Sequence, residues 1–128
     1  MDVRLAVGRI GDHIGKSGDL LFAVDYVSAD TLLDPDALAS LVGKPIDVNH
    51  DGKPYGKIVA VDSELINGVL HCDAVISDPT LIEYLKRAKS QNLTLETSPS
   101  FQTEISVDDK GRRIQHSRRY AFLSILTN

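Results

Sequence analysis

Tryptophan is absent from this chain, and cysteine occurs once, as Cys72. A single cysteine closes no internal disulfide, so nothing demands an oxidising compartment and a reducing cytoplasm is the expectation. Four Tyr and three Phe are the whole aromatic complement. That is thin material for the stacking platforms on which nucleic acid is held, and nucleic acid is disfavoured as a partner. No apolar run approaches the roughly 18–20 residues that span a bilayer. Met1-Asp2-Val3-Arg4 also lacks the basic segment and apolar region of an export signal. A soluble protein without a membrane partner is expected. Acid is missing from the end of the chain: residues 110–128 hold five basic residues and no Asp or Glu, whereas residues 1–109 hold nine Lys or Arg and all 18 Asp and Glu. A body of net −9 therefore ends in a tail of net +5. Because Lys110, Arg112, Arg113, Arg118 and Arg119 flank strand-like residues, the basic block reads as a solvated strand face.

What is present suffices for a core. With 128 residues and 42% hydrophobic content, the chain can bury one core and is too short for two ordinary domains, so residues 1–128 are taken as one. Val3 to Ile10 and Leu20 to Val27 read as strands joined by a glycine-containing loop, Gly11 to Asp19, in which His13 is expected to be solvated. Two helices carry matching start signals. Asp34-Pro35 opens one that Gly43 closes, and Asp78-Pro79 opens another whose stripe is Leu81, Ile82, Leu85 and Ala88, with Lys86, Arg87 and Lys89 at its C-terminal end. Between them lie three strand-like segments, Ile46 to His50, Gly56 to Asp62 and Gly68 to Ile76, the last two joined by a turn closing on Asn67-Gly68. His71 is out of phase with Leu70, Cys72 and Ala74 and should face solvent. Phe101 to Val107 and Arg113 to Leu126 form a further hairpin around Asp108-Asp109-Lys110-Gly111. About seven strands, two helices and no βαβ alternation predict a mainly β fold, an antiparallel β-barrel with short helices packed outside; periodicity leaves an α+β sandwich open.

The stretch Leu93-Thr94-Leu95-Glu96-Thr97-Ser98-Pro99-Ser100-Phe101 alternates with period two until Pro99. Ser98 is therefore expected where a strand stops, on backbone stiffened by the following proline. A hydroxyl in such a place is a nucleophile only if a general base takes its proton, and His50 is the candidate.

Three stretches stand in order: Ile46-Asp47-Val48-Asn49-His50-Asp51 followed by Gly56, then Thr97-Ser98-Pro99-Ser100-Phe101, then Leu126-Thr127-Asn128. Together they resemble the signatures of the phage prohead (capsid maturation) serine proteases, especially those similar to the I protein of phage Mu, over roughly residues 40–128. In that group a strand ends in a histidine, a glycine-initiated strand follows, a Ser-Pro-x-aromatic segment carries the nucleophile and Leu-Thr-Asn closes the last core strand. The resemblance implies an assemblin-like β-barrel related to the herpesvirus maturation proteases. It further implies an endopeptidase that needs no cofactor or metal and cuts scaffold and major capsid proteins, and itself, inside the procapsid in the host cytoplasm. Homodimers are common among such enzymes. By position Ser98 would be the acylated nucleophile and His50 the base that later protonates the leaving amine.

For the third member, relatives place a histidine or a carboxylate four or two residues before the position matching Ser124, where this chain has Tyr120 and Phe122. His116 is then the candidate, since residues 116, 118, 120 and 122 share a face if the strand is regular. A Ser-His dyad or an impaired site are the alternatives. Pro99 has no N–H to offer an oxyanion, so donors must come from elsewhere. Arg118-Arg119 resembles the arginine pair of the herpesvirus relatives and is the candidate support. Relatives continue past the last strand into a proline-containing turn and a scaffold-like region, so a chain ending at Asn128 is expected to be a protease core, self-trimmed or cut. A second class of function is non-enzymatic, a protease-like structural or scaffolding component of the capsid.

Overall fold

In a computed structural model, residues 1–17 and 20–127 are described; Gly18 and Asp19 of the expected first loop and Asn128 of the closing Leu-Thr-Asn lie outside the described residues. Among the described residues are eight strands and three helices: β1 Asp2–Arg9, β2 Gly11–Ser17, β3 Leu20–Val27, α1 Ala29–Leu32, α2 Pro35–Leu41, β4 Pro45–Val48, β5 Gly56–Val61, β6 Val69–Ile76, α3 Pro79–Ser90, β7 Glu96–Val107 and β8 Arg113–Leu126.

Local chemistry accounts for most boundaries. Asp34 and Asp78 accept the Ala37 and Leu81 N–H groups at 3.2 and 2.9 Å, with Pro35 and Pro79 inside the first turns. Each such cap contributes about 1 kcal/mol. Ser28 caps α1 in the same way, accepting from Thr31. Asn67 and Gly68 both have left-handed backbone, and Ile66 and Val69 exchange two backbone hydrogen bonds across them, a two-residue hairpin turn. Gly56 opens β5 because nothing larger fits: a Cβ there would lie 2.4 Å from the Val75 carbonyl oxygen.

The sheet runs β1-β6-β5-β4-β8-β3-β2, with β7 also paired to β8. Strand β8 is the hub. β7 lies antiparallel along its whole length, so β3 and β4 must share the other edge, β3 opposite Arg113 and Ile114 and β4 opposite Leu123 to Ile125. Both of those pairings are parallel, which corrects the all-antiparallel expectation. The sheet curls into a half-barrel. Its β7 end returns to β1, where the Thr97 hydroxyl donates to the Ala6 carbonyl at 2.6 Å. Inside the curl, Leu5, Val7, Ile46, Ile58, Leu70, Ile76, Leu123 and Ile125 form the core, with Ala37 and Leu41 of α2 and Leu81 and Leu85 of α3 packed on it. Burying one such side chain stabilises by roughly 1.5–3 kcal/mol. Burial also pushes the Cys72 thiol up to about 12, which keeps it an inert packing group.

Several expectations are corrected. Gly11–Ser17 is a strand paired with β3, so His13 sits in a sheet and not in a loop. α1 was not expected. Strand β4 ends at Val48, and Asn49 and His50 leave it with φ of 51° and 58°. Finally, β7 continues through Pro99 to Val107. It pairs with β8 alone, so the missing proline N–H belongs to an open edge.

No helix among the described residues is long and apolar enough to cross a membrane.

Candidate active site

Two bulges in β8 decide which side chains share the site. Ser98 pairs with Ser124 and Ser100 with Phe122, but Phe101 then pairs with Tyr120, so β8 carries one extra residue there. Directly paired residues share a face, which places Ser98, Ser100, Phe122 and Ser124 together and turns Tyr120 to the opposite face, into the core. A second shift between Gln102 and Glu104 accompanies the left-handed Ser117.

His50 stands over this row of hydroxyls. Its Nδ1 lies 3.1 Å from Ser124 Oγ and 3.4 Å from Ser100 Oγ, and its ring meets Phe122 edge-on with centroids 5.8 Å apart. Behind Ser124 is Asp47, its neighbour in the parallel β4/β8 pairing: the Ser124 hydroxyl donates to Asp47 Oδ1, and the Gly52 N–H donates to Oδ2 at 3.0 Å. Both are sealed, Asp47 at 1% and Ser124 at 0% exposure.

The turn carrying His50 is held on both sides. Asn49 Nδ2 donates to Thr127 Oγ1 at 2.8 Å, and the Thr127 N–H returns to Asn49 Oδ1 at 2.9 Å. The end of β8 thus clamps the residue before His50. After it, Asp51 accepts from the Tyr55 hydroxyl at 2.6 Å and the Lys53 N–H at 2.9 Å. The Tyr55 hydrogen bond holds the Asp51 carboxyl below the usual range and the Tyr55 phenol above it. Two consecutive left-handed residues outside glycine cost free energy and persist only where surroundings impose them, a pattern concentrated at functional sites.

An open cleft of about 580 Å³ is lined by His50, Ser98, Ser100 and Phe101 together with residues of β2 and β3, including His13 and Asp25. A second space of about 260 Å³ continues past Ser98 between β1 and β7. Ser98 and Pro99 border both.

Of the residues expected at the site, Ser98 and His50 line one cleft, though no hydrogen bond joins them; the serines within reach of the imidazole are Ser124 and, on the cleft, Ser100. His116 is corrected. It lies eight positions before Ser124 on β8, about 26 Å of strand, and its Nε2 bonds Ser106 Oγ at 2.6 Å. The regular-strand assumption that favoured it fails at the bulges. Arg118 and Arg119 are also corrected, since neither lines the cleft. Arg118 is wholly buried, bonded to Gln115 Oε1 at 3.0 Å and the Tyr120 hydroxyl at 3.3 Å, and stacked 3.9 Å over Phe101. Arg119 turns to the start of α2, with Asp34 at 3.5 Å and Asp36 at 3.6 Å.

Sequence reasoning missed Asp47, Ser124 and His13. A carboxylate between Ile46 and Val48 and a serine between Leu123 and Ile125 were signals of polar groups facing away from the core, but their meeting depends on a parallel pairing that no spacing reveals. His13 lines the same cleft as Ser98; burial, followed by the Arg118 charge, holds its pKa below the ordinary value.

Comparison with protein-family models, curated proteins and solved structures gives no match to this chain.

Proposed function

We propose that the chain is a serine endopeptidase of phage head maturation, of assemblin-like architecture, which cleaves scaffold and capsid proteins, and itself, inside the procapsid. Ser98 is the nucleophile and His50 the general base. The observation that carries this is the His50 imidazole, held on a clamped left-handed turn above the serine row and open to a cleft. In the first step Ser98 Oγ attacks the scissile carbonyl while His50 takes its proton; His50 then protonates the leaving amine, and water repeats the sequence on the acyl-enzyme. Hydrogen bonds between nucleophile and base are often long before substrate closes the site, and Ser98 and His50 lining one cleft without touching fits that state.

The 3.4 Å approach of Ser100 to His50 favours one alternative, in which Ser100 is the nucleophile. A fluorophosphonate probe separates the two. Ser98→Ala should abolish labelling and self-cleavage, whereas Ser100→Ala should keep both. The opposite pattern transfers the role to Ser100. Full scaffold processing by Ser98→Ala, or a wild-type protein that neither labels nor cleaves, rules out the Ser98 protease and leaves a structural capsid component.

A further inference from the structure

We propose that Asp47, acting through Ser124, is the positioning group that fixes the His50 imidazole, in place of the histidine or carboxylate that the resemblance expects on the last core strand. The catalytic consequence rests on the function proposed above; the geometry does not.

Proton counting carries it. An ionised carboxylate only accepts hydrogen bonds, and a serine hydroxyl has one proton to give. Asp47 takes the Gly52 N–H on one oxygen and stands against Ser124 Oγ with the other, so the Ser124 proton points at Asp47. Ser124 Oγ can then only accept from His50 Nδ1, 3.1 Å away. The ring must therefore carry its proton on Nδ1, which leaves the Nε2 lone pair free to take a proton from a hydroxyl. Ser100, 3.4 Å from the same Nδ1, faces the N–H side of the ring and cannot be deprotonated there. Ser98 remains as the hydroxyl for Nε2.

The pair is built to hold this polarity. Asp47 and Ser124 are register partners on adjacent strands and are sealed from water. With no competing solvent between these two, the direction of the Ser124 proton is set by Asp47. Phe122, edge-on to the ring at 5.8 Å, has no polar group to offer it and leaves the orienting task to the strand behind.

The test substitutes Asp47→Asn, which keeps shape and gives position 47 a donor. Its amide can donate to Ser124, turn the hydroxyl proton toward Nδ1 and drive the ring to the Nε2–H form. Imidazole ¹⁵N resonances of the full chain, labelled at histidine, report the tautomer directly. Wild type should show His50 protonated on Nδ1, and Asp47→Asn should invert it. Fluorophosphonate labelling by the folded variant should fall on the order of 10²–10⁴-fold, as when the orienting residue of a Ser-His-Asp triad is neutralised. Should Asp47→Asn not fold, Ser124→Ala, which removes the bridge, should give a mixture of tautomers, and Ser124→Thr should restore the Nδ1–H form. A wild-type ring protonated on Nε2, or substituted proteins that keep the wild-type tautomer, overturns the proposal. If wild type fails to label at all, the protease function fails while the ¹⁵N measurement still decides the relay.

Discussion

Asn49→Ala and Asn49→Gly together test how the His50 imidazole is held. Asn49 contributes twice: it tolerates the left-handed backbone at φ 51°, and its amide makes two hydrogen bonds to Thr127 at 2.8 and 2.9 Å. For an ordinary residue the left-handed region costs about 1 kcal/mol, taken at the low end of its range, which asparagine largely avoids. Two hydrogen bonds at about 0.5 kcal/mol each, the low end because both are exposed, add about 1 kcal/mol. Asn49→Ala loses both contributions, about 2 kcal/mol in all, whereas Asn49→Gly loses the clamp and keeps the backbone, about 1 kcal/mol. At about 4 °C per kcal/mol for a chain of this size, Tm should fall by about 8 °C in the alanine variant and about 4 °C in the glycine variant. Fluorophosphonate labelling should behave differently. Both variants free the turn that carries His50 from Thr127, so both should label about tenfold more slowly despite their unequal stability. Equal Tm losses would show that backbone conformation is not what asparagine supplies. Wild-type labelling by Asn49→Gly would show that the clamp does not position the imidazole.

Three further outcomes follow from the fold. Gly56→Ala should cost about 3 kcal/mol in urea unfolding, because its Cβ overlaps the backbone of Val75 and Ile76, which a shift of the Ile76 side chain does not relieve; a loss under about 1 kcal/mol would refute that close approach. Arg118→Ala leaves a cavity beside Phe101 and strands Gln115 and Tyr120, and should cost about 3–4 kcal/mol. Arg118→Met refills the stem and discards a buried charge whose Nη2 has no partner, so its loss should be less than half as large, compared by denaturation midpoints. The depressed pKa of His13 sets a pH dependence: below the ordinary value of about 6.5 the unfolded chain binds a proton that the folded chain declines. The His13 contribution is complete above that value and is lost as pH falls through the folded one. Unfolding midpoints between about pH 7.5 and pH 5 should therefore drop less steeply in His13→Gln than in wild type.

Much of the fold was legible where local chemistry is strong. The Asp-Pro caps of α2 and α3, the Asn67-Gly68 turn and the alternation of β6 each depend on residues within a few positions of one another, and the structure places them where the sequence does. Two features were missed because their signals were diluted. The glycines of Gly11 to Asp19 suggested a loop where an edge strand, Gly11–Ser17, forms, and the single-turn α1 was too short for periodicity to show. The end of β7 was misplaced for a different reason. A proline stops a strand that is paired on both edges, and sequence does not say that β7 has one partner.

The sequence by itself determined the mainly β character, the helix starts and the tight turns, because each follows from backbone preference or nearest-neighbour chemistry. Only the tertiary structure decided which side chains meet. The parallel pairing of β4 with β8 sets Asp47 beside Ser124, and the Thr127 clamp brings His50 over both. The bulges in β8 take Tyr120 and Arg118 into the interior and leave His116 far along the strand. Register and bulge position are cooperative outcomes of packing a whole curled sheet, and a one-residue slip in either exchanges every face that a spacing argument assumes.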